Sequence, residues 1–162
     1  MKNGKENTGK PEKELIGRRE IVSFPELHID EIEAKIDTGA YTSAIHCTDI
    51  HEETAADGTR VICLDLLDPS HPKYDHKKLR FSDYDFREIR NSFGDVQERY
   101  VITTKIQLFD EIIEAEFSLS DRSDMKYPVL IGRKLLKGRF IVDVSRKNVA
   151  QKYKNKQKLK QK

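Results

Sequence analysis

The 162-residue chain has no tryptophan, two cysteines, two methionines and five prolines, and its apolar runs stop after a few residues, as in Val129-Leu130-Ile131. A bilayer-spanning helix needs about 20 apolar residues in sequence, so no membrane segment is expected. Two cysteines, Cys47 and Cys63, are too few for a disulfide framework; in strand-like surroundings they are expected to pack as small apolar groups in a reducing compartment. Residues Met1-Lys2-Asn3-Gly4-Lys5-Glu6-Asn7 are polar from the first position and lack the apolar core of a secretory signal, which points to a soluble, cytoplasmic protein. There is no internal repeat, no GxGxxG and no phosphate loop.

Charge is plentiful but uneven. Thirty Lys and Arg face 28 Asp and Glu, yet residues 151–162 hold six lysines and no acid, which leaves 24 basic against 28 acidic residues, a charge of −4, in the first 150. Residues 147–162 are expected to form a disordered lysine-rich tail with little to bury, able to contact RNA or ribosomes weakly through charge. Residues 1–14 read as a disordered lead-in. A single domain over 15–146 remains.

Strand periodicity dominates that domain. Residues 19–24 form a strand ending at Pro25, and Leu27 to Ile36 resembles a hairpin turning at Asp30-Glu31. Ile62, Leu64 and Leu66 alternate along another strand after the turn Ala56-Asp57-Gly58-Thr59. Ile102, Thr104, Ile106 and Leu108 share one face, as do Ile113, Ala115, Phe117 and Leu119, and the short link between the two runs makes them antiparallel neighbours. Only Arg133 to Lys137 looks helical, ending at Gly138 before a strand over 140–144. The fold class expected is all-β, a small closed barrel with one short C-terminal helix.

One tripeptide carries chemistry: Asp37-Thr38-Gly39, directly after the apolar-alternating strand Ile32 to Ile36. As a turn it needs no further explanation, since Asp and Gly both favour turns. As a reactive group, Asp37 would be half of a carboxylate pair. Peptide hydrolysis by carboxylates uses two of them about 3 Å apart sharing one proton, one taking a proton from water while the other donates to the carbonyl oxygen. The chain has the triplet once, so a homodimer giving one Asp37 from each copy is the economical arrangement. Thr38 could then hydrogen-bond across the two-fold axis, and Gly39 would admit a close backbone approach.

The second half contains Tyr127-Pro128-Val129-Leu130-Ile131-Gly132-Arg133. With Ala34-Lys35-Ile36-Asp37-Thr38-Gly39-Ala40-Tyr41-Thr42-Ser43-Ala44-Ile45-His46, Ile16 to Pro25, Glu98 to Ile102 and Leu119 to Arg122, the chain over roughly 16–146 resembles the retropepsin-like aspartic peptidases. Within them it looks most like the family formerly called ATP-dependent zinc proteases, associated with RimK-type ATP-grasp ligases. The resemblance implies a retropepsin-like barrel, a catalytic Asp37 supported by Thr38, Gly39, Ala40, Gly132 and Arg133, and hydrolysis of peptide bonds in glutamate-rich tails made by a partner ligase. Arg133 in that fold is commonly a buried ion-pair or dimer-stabilising residue; its alternative is a surface helix charge. Such a site needs a hairpin that closes over the peptide. Arg87 to Val101, with Asn91, Ser92, Phe93 and Gly94 at its tip, is the candidate, and the Ala56–Thr59 turn the alternative.

Where the family often has Arg after Asp-Thr-Gly-Ala, and viral retropepsins Asp, this chain has Tyr41. An anionic substrate would call for arginines near the cleft, with Arg90 and Arg99, and also Arg18 and Arg122, the candidates by position. No metal or cofactor is expected: there is no His-Glu-x-x-His, the five histidines and two cysteines show no recognised ligand spacing, and His46-Cys47 with His51 is the one grouping that could gather an ion. Any ATP dependence would belong to a separate ligase. The alternative function is a non-catalytic β-barrel binding module whose basic tail contacts RNA or ribosomes.

Overall fold

The structure is a computed structural model, which describes residues 12–121 and 126–160. Arg122, the segment 1–11 and residues 161–162 of the tail lie outside the described residues. The chain is mostly β. Its strands are β1 (Glu14–Ile16), β2 (Arg19–Phe24), β3 (Ile29–Ile36), β4 (Ser43–Thr54), β5 (Arg60–Leu66), β6 (Lys78–Phe81), β7 (Asp85–Arg90), β8 (Val96–Leu108), β9 (Glu111–Ser120), β10 (Val129–Ile131) and β11 (Phe140–Val142), with helices α1 (Arg133–Leu136) and α2 (Val149–Lys160).

Among the described residues, nine strands make one sheet in the order β10-β3-β2-β8-β9-β4-β5-β6, with β7 on β8. The three-residue β10 is flanked on both sides: it runs parallel to β3, with Ile131 opposite Ile36, and antiparallel to β4, with Val129 opposite Ile45. Strands buried on both faces read as unbroken apolar runs, and Val129, Leu130 and Ile131 are all buried. The β8–β9 hairpin pairs as its alternation predicts, Ile102 opposite Phe117 and Ile106 opposite Ile113. Its inner face meets β2 in an edge-to-face contact of Phe24 and Phe117, ring centres 5.3 Å apart.

Three expectations need correction. Asp30-Glu31 is not a hairpin turn: β3 runs through it, and the reversal from β2 is made by Pro25–Leu27, a single 3-10 turn, with His28 left-handed. The polar pair instead sits at an irregularity in the β2–β3 register, where the Ser23 hydroxyl donates to Asp30 at 2.8 Å and accepts from the Glu31 N–H at 3.0 Å. Second, β1 already begins at Glu14 and pairs in parallel with β11, making a small two-stranded sheet.

The third correction concerns the tail. Residues 149–160 are helical, so the described residues hold two α-helices where one was expected. Composition hid the reason, which is a single buried acid. Glu20 on β2 has no exposed surface, and its carboxylate accepts from the N–H groups of Gly17 (2.8 Å), Val149 (3.1 Å) and Ala150 (2.8 Å). It therefore caps the first turn of α2 from outside, satisfying orphan donors at the positive end of the helix dipole. Ala150 is buried, and Tyr153 packs edge-on against Phe109. Gly17 is required there: a Cβ would lie 2.6 Å from the Arg146 carbonyl oxygen.

Candidate active site

Asp37 follows the last residue of β3, and the loop after it is fixed by backbone contacts on two sides. Its N–H donates to Ile131 on β10 at 2.8 Å; beyond β10, the Arg133 and Lys134 N–H groups donate to the Ala40 and Tyr41 carbonyls at 2.8 and 2.9 Å. Gly132 makes that interlock possible. A Cβ there would sit 2.7 Å from Tyr41 O and 2.9 Å from Ala40 O, both backbone atoms with nowhere to go, while the Gly132 N–H donates to Ser43 Oγ at 3.0 Å. The start of α1 is thus bolted to the Asp37 loop.

The half-buried Asp37 carboxylate has a partner on each oxygen: Oδ1 accepts from the Gly39 N–H at 3.0 Å, and Oδ2 from Ser92 Oγ at 2.8 Å. Ser92 arrives on the β7–β8 hairpin, where Asp85 to Arg90 pair with Val101 to Val96. The tip closes on itself: Asn91 Oδ1 accepts from Phe93 and Asp95 N–H at 2.9 and 3.0 Å, and Gly94 takes φ +88°. A Cβ on Gly39 would come within 3.3 Å of Ser92 Cβ, so the loop glycine leaves room for the hairpin tip.

Between hairpin and loop lies a cleft of about 480 Å³, lined by Asp37, Ala40, Thr42, Leu130, Arg90 to Phe93 and Arg99, and also by Lys35, Gln97, Ser118, Ser120 and Asp121. Three cations, Lys35, Arg90 and Arg99, therefore share it with two acids. Sequence reasoning missed the second group. Lys35 was legible, since two residues before Asp37 on β3 it must face the same side, but the sequence does not announce the parallel β4–β9 pairing that sets the end of β9 beside the strand after the Asp37 loop. Thr38 is exposed beside Asp37. Arg18, by contrast, lies off the cleft, donating to Val144 O at 3.5 Å.

Arg133 is exposed, not buried. It donates to Thr38 O at 2.8 Å and lies 5.9 Å from the centre of the Tyr41 ring. Tyr41, in the place where a charge often stands, thus offers its π face to a cation from α1. Cys47 is no nucleophile: burial, with Asp121 nearby, pushes its thiol up to about 12. His46, buried beside it on β4, has Nε2 2.6 Å from Asp68 Oδ2. The Ser70 hydroxyl first, and then His46, hold the Asp68 carboxyl below its ordinary value.

The fold is shared with a crystal structure of a Legionella pneumophila subsp. pneumophila protein of unknown function, with a TM-score of 0.67 at 20% identity, covering 86% of this chain and 99% of that one. The sequence is more specific: the family model described as retropepsin-like aspartic endopeptidase RimB matches residues 15–153, and the chain belongs to this RimB-like family. It is also 35% identical over 135 residues to a probable alpha-L-glutamate ligase of Desulfotalea psychrophila and 34% identical to one of Shewanella halifaxensis. These matches take in 81% of this chain but 28% of each relative, so the chain spans under a third of their length. No helix among the described residues is long and apolar enough to cross a membrane.

Proposed function

We propose that the chain is a homodimeric aspartic peptidase in which two copies each contribute Asp37 to one carboxylate pair. The observation that carries this reading is the setting of Asp37: a carboxylate at the mouth of a cleft, on a loop held by β10 and α1 and reached by a hairpin tip. Supporting it is the path of pairings that leads from β10 through β3, β2, β8, β9 and β4 back to β10, which we read as the retropepsin-like barrel. In the dimer, the ionised carboxyl takes a proton from water, whose oxygen attacks the peptide carbonyl carbon. The protonated carboxyl donates to the carbonyl oxygen, and the tetrahedral intermediate collapses with proton transfer to the amine, leaving acid and amine. Thr38, Gly39, Ala40 and Gly132 hold the loop, Arg133 braces it through Thr38 O, and Asn91, Ser92, Phe93 and Gly94 close over the peptide and exclude water.

The substrate we favour is a glutamate-rich peptide tail. Lys35, Arg90 and Arg99 line the cleft and would meet side-chain carboxylates. Segments like this chain also occur within longer proteins named glutamate ligases, which argues for a functional link between ligation and cleavage. The test is mass spectrometry of peptides with and without glutamate-rich tails, incubated with wild type and Asp37→Asn. Cleavage by wild type alone supports the reading; equal cleavage by both ends it.

A second reading, a non-catalytic module binding RNA or ribosomes, rests on α2, which carries five lysines and no acid. It requires RNA binding that disappears when residues 151–162 are removed and falls steeply with salt.

A further inference from the structure

The far end of β4 carries a second set of chemistry-bearing side chains, none of which lines the cleft beside Asp37. His51 and Glu53 stand two residues apart on β4 and so share a face; Cys63 on β5 is the register partner of His51. Sequence spacing does not announce the group, because nine residues, a turn among them, lie between Glu53 and Cys63 along the chain. Antiparallel pairing across the Ala56–Thr59 turn brings them together. One donor atom from each residue, His51 nitrogen, Glu53 oxygen and Cys63 sulfur, lies within 4.8 Å of the other two.

Two features aim the group. The β4–β5 register shifts between Thr48 and His51, and Asp49 inside the shift takes φ +55°, a conformation rare for a residue with a β-carbon. Bulges of this kind re-aim side chains, and this one sets His51 opposite Cys63. The carbonyl of Asp49 then lies 2.9 Å from His51 Nδ1. A carbonyl only accepts, so Nδ1 carries a hydrogen and Nε2 is the nitrogen turned toward Glu53, with Oε1 2.8 Å away. Backbone support of one ring nitrogen, leaving the other to coordinate, is the usual outer arrangement around a metal-bound histidine. The nearby cations are already paired: Arg80 with the second Glu53 oxygen at 3.1 Å, and Lys78 with Asp49 at 2.6 Å.

We infer that His51, Glu53 and Cys63 form a three-ligand site for a zinc-type divalent ion that ties β4 to β5. A thiolate, an imidazole and a carboxylate suit zinc and are wrong for magnesium or calcium, which take oxygen donors. Bond lengths of about 2.0–2.3 Å hold tetrahedral donors ~3–4 Å apart, and the present donors all lie within 4.8 Å of one another. Cys63 is 1% exposed, while the His51 and Glu53 side chains are each 39% exposed, so the ion enters from solvent onto a buried thiol. The fourth position is left to water. Through Glu53 and Arg80 the clip extends to β6, the last strand of the large sheet.

Cobalt(II) titration of the metal-free full-length protein tests this independently of any peptidase activity. One equivalent should produce the intense visible bands of four-coordinate cobalt and a thiolate charge-transfer band in the near ultraviolet, both removed by excess zinc. Cys63→Ser should abolish the charge-transfer band. Because that change falls in the core, the half-exposed His51→Gln and Glu53→Gln are the companions, each expected to weaken cobalt binding by at least about tenfold with the fold retained by circular dichroism. Absence of a charge-transfer band in the wild type would overturn the inference. So would a band that persists in Cys63→Ser, or affinity unchanged in both companions.

Discussion

The Asp37 loop and the hairpin tip that reaches it are both tight turns at strand ends, but they are held in opposite ways. The loop is gripped from outside: its backbone bonds go to β10 and to the start of α1, and Gly132 lets two stretches of main chain touch. The tip is held mainly from within, by Asn91 and Gly94, and its contact with the loop is the hydroxyl of Ser92 on Asp37. A group that must keep its geometry through a reaction belongs on the first kind of support. On the proposed function the tip would have to open for a peptide, which the second kind of support permits.

That contrast can be broken on either side. The largest effect is expected from Gly132→Ala, whose methyl meets backbone oxygens that cannot rotate away: about 2–3 kcal/mol of stability lost in urea denaturation, with the Asp37 loop displaced. Next is Glu20→Gln, a test of gripping from outside at a different place. The amide turns a donor toward N–H groups in a buried pocket, costing about 1–3 kcal/mol and releasing α2, read as loss of amide protection over residues 149–153.

The hairpin side should behave differently. Ser92→Ala removes one exposed hydrogen bond to a carboxylate, so kcat/KM for the cleaved peptide should fall by about tenfold, ~1.4 kcal/mol, with the denaturation midpoint unchanged. Phe93→Ser should be the mildest. That ring is 89% exposed, so stability should hold and a modest rise in KM should be the whole effect. A hairpin variant that destabilised the protein as much as Gly132→Ala would erase the distinction.

What the sequence made legible follows the same division. Elements with local signatures were readable: the β8–β9 alternation, the tip at Gly94, and the helix after Gly132 ending where Gly138 takes φ +78°. So was the turn at Asp37, because an Asp-Thr-Gly triplet after an apolar strand is a local pattern. What escaped depends on distant partners. No window of sequence says that Glu20 caps a helix beginning at Val149, nor that the Asp30-Glu31 pair fits a strand because Ser23 binds both residues. Along the chain His51 stands near His46 and Cys47, whereas the strands pair it with Cys63 and turn His46 to Asp68.

The central claim is that each active site takes one Asp37 from each of two copies, and mixed dimers test it most directly. Wild type and Asp37→Asn are combined at increasing ratios, allowed to exchange subunits, and assayed for peptide cleavage. If both carboxyls are needed, a mixed dimer is dead, and activity falls as the square of the wild-type fraction. Activity that falls in simple proportion to that fraction would mean that one Asp37 suffices, and would contradict the account.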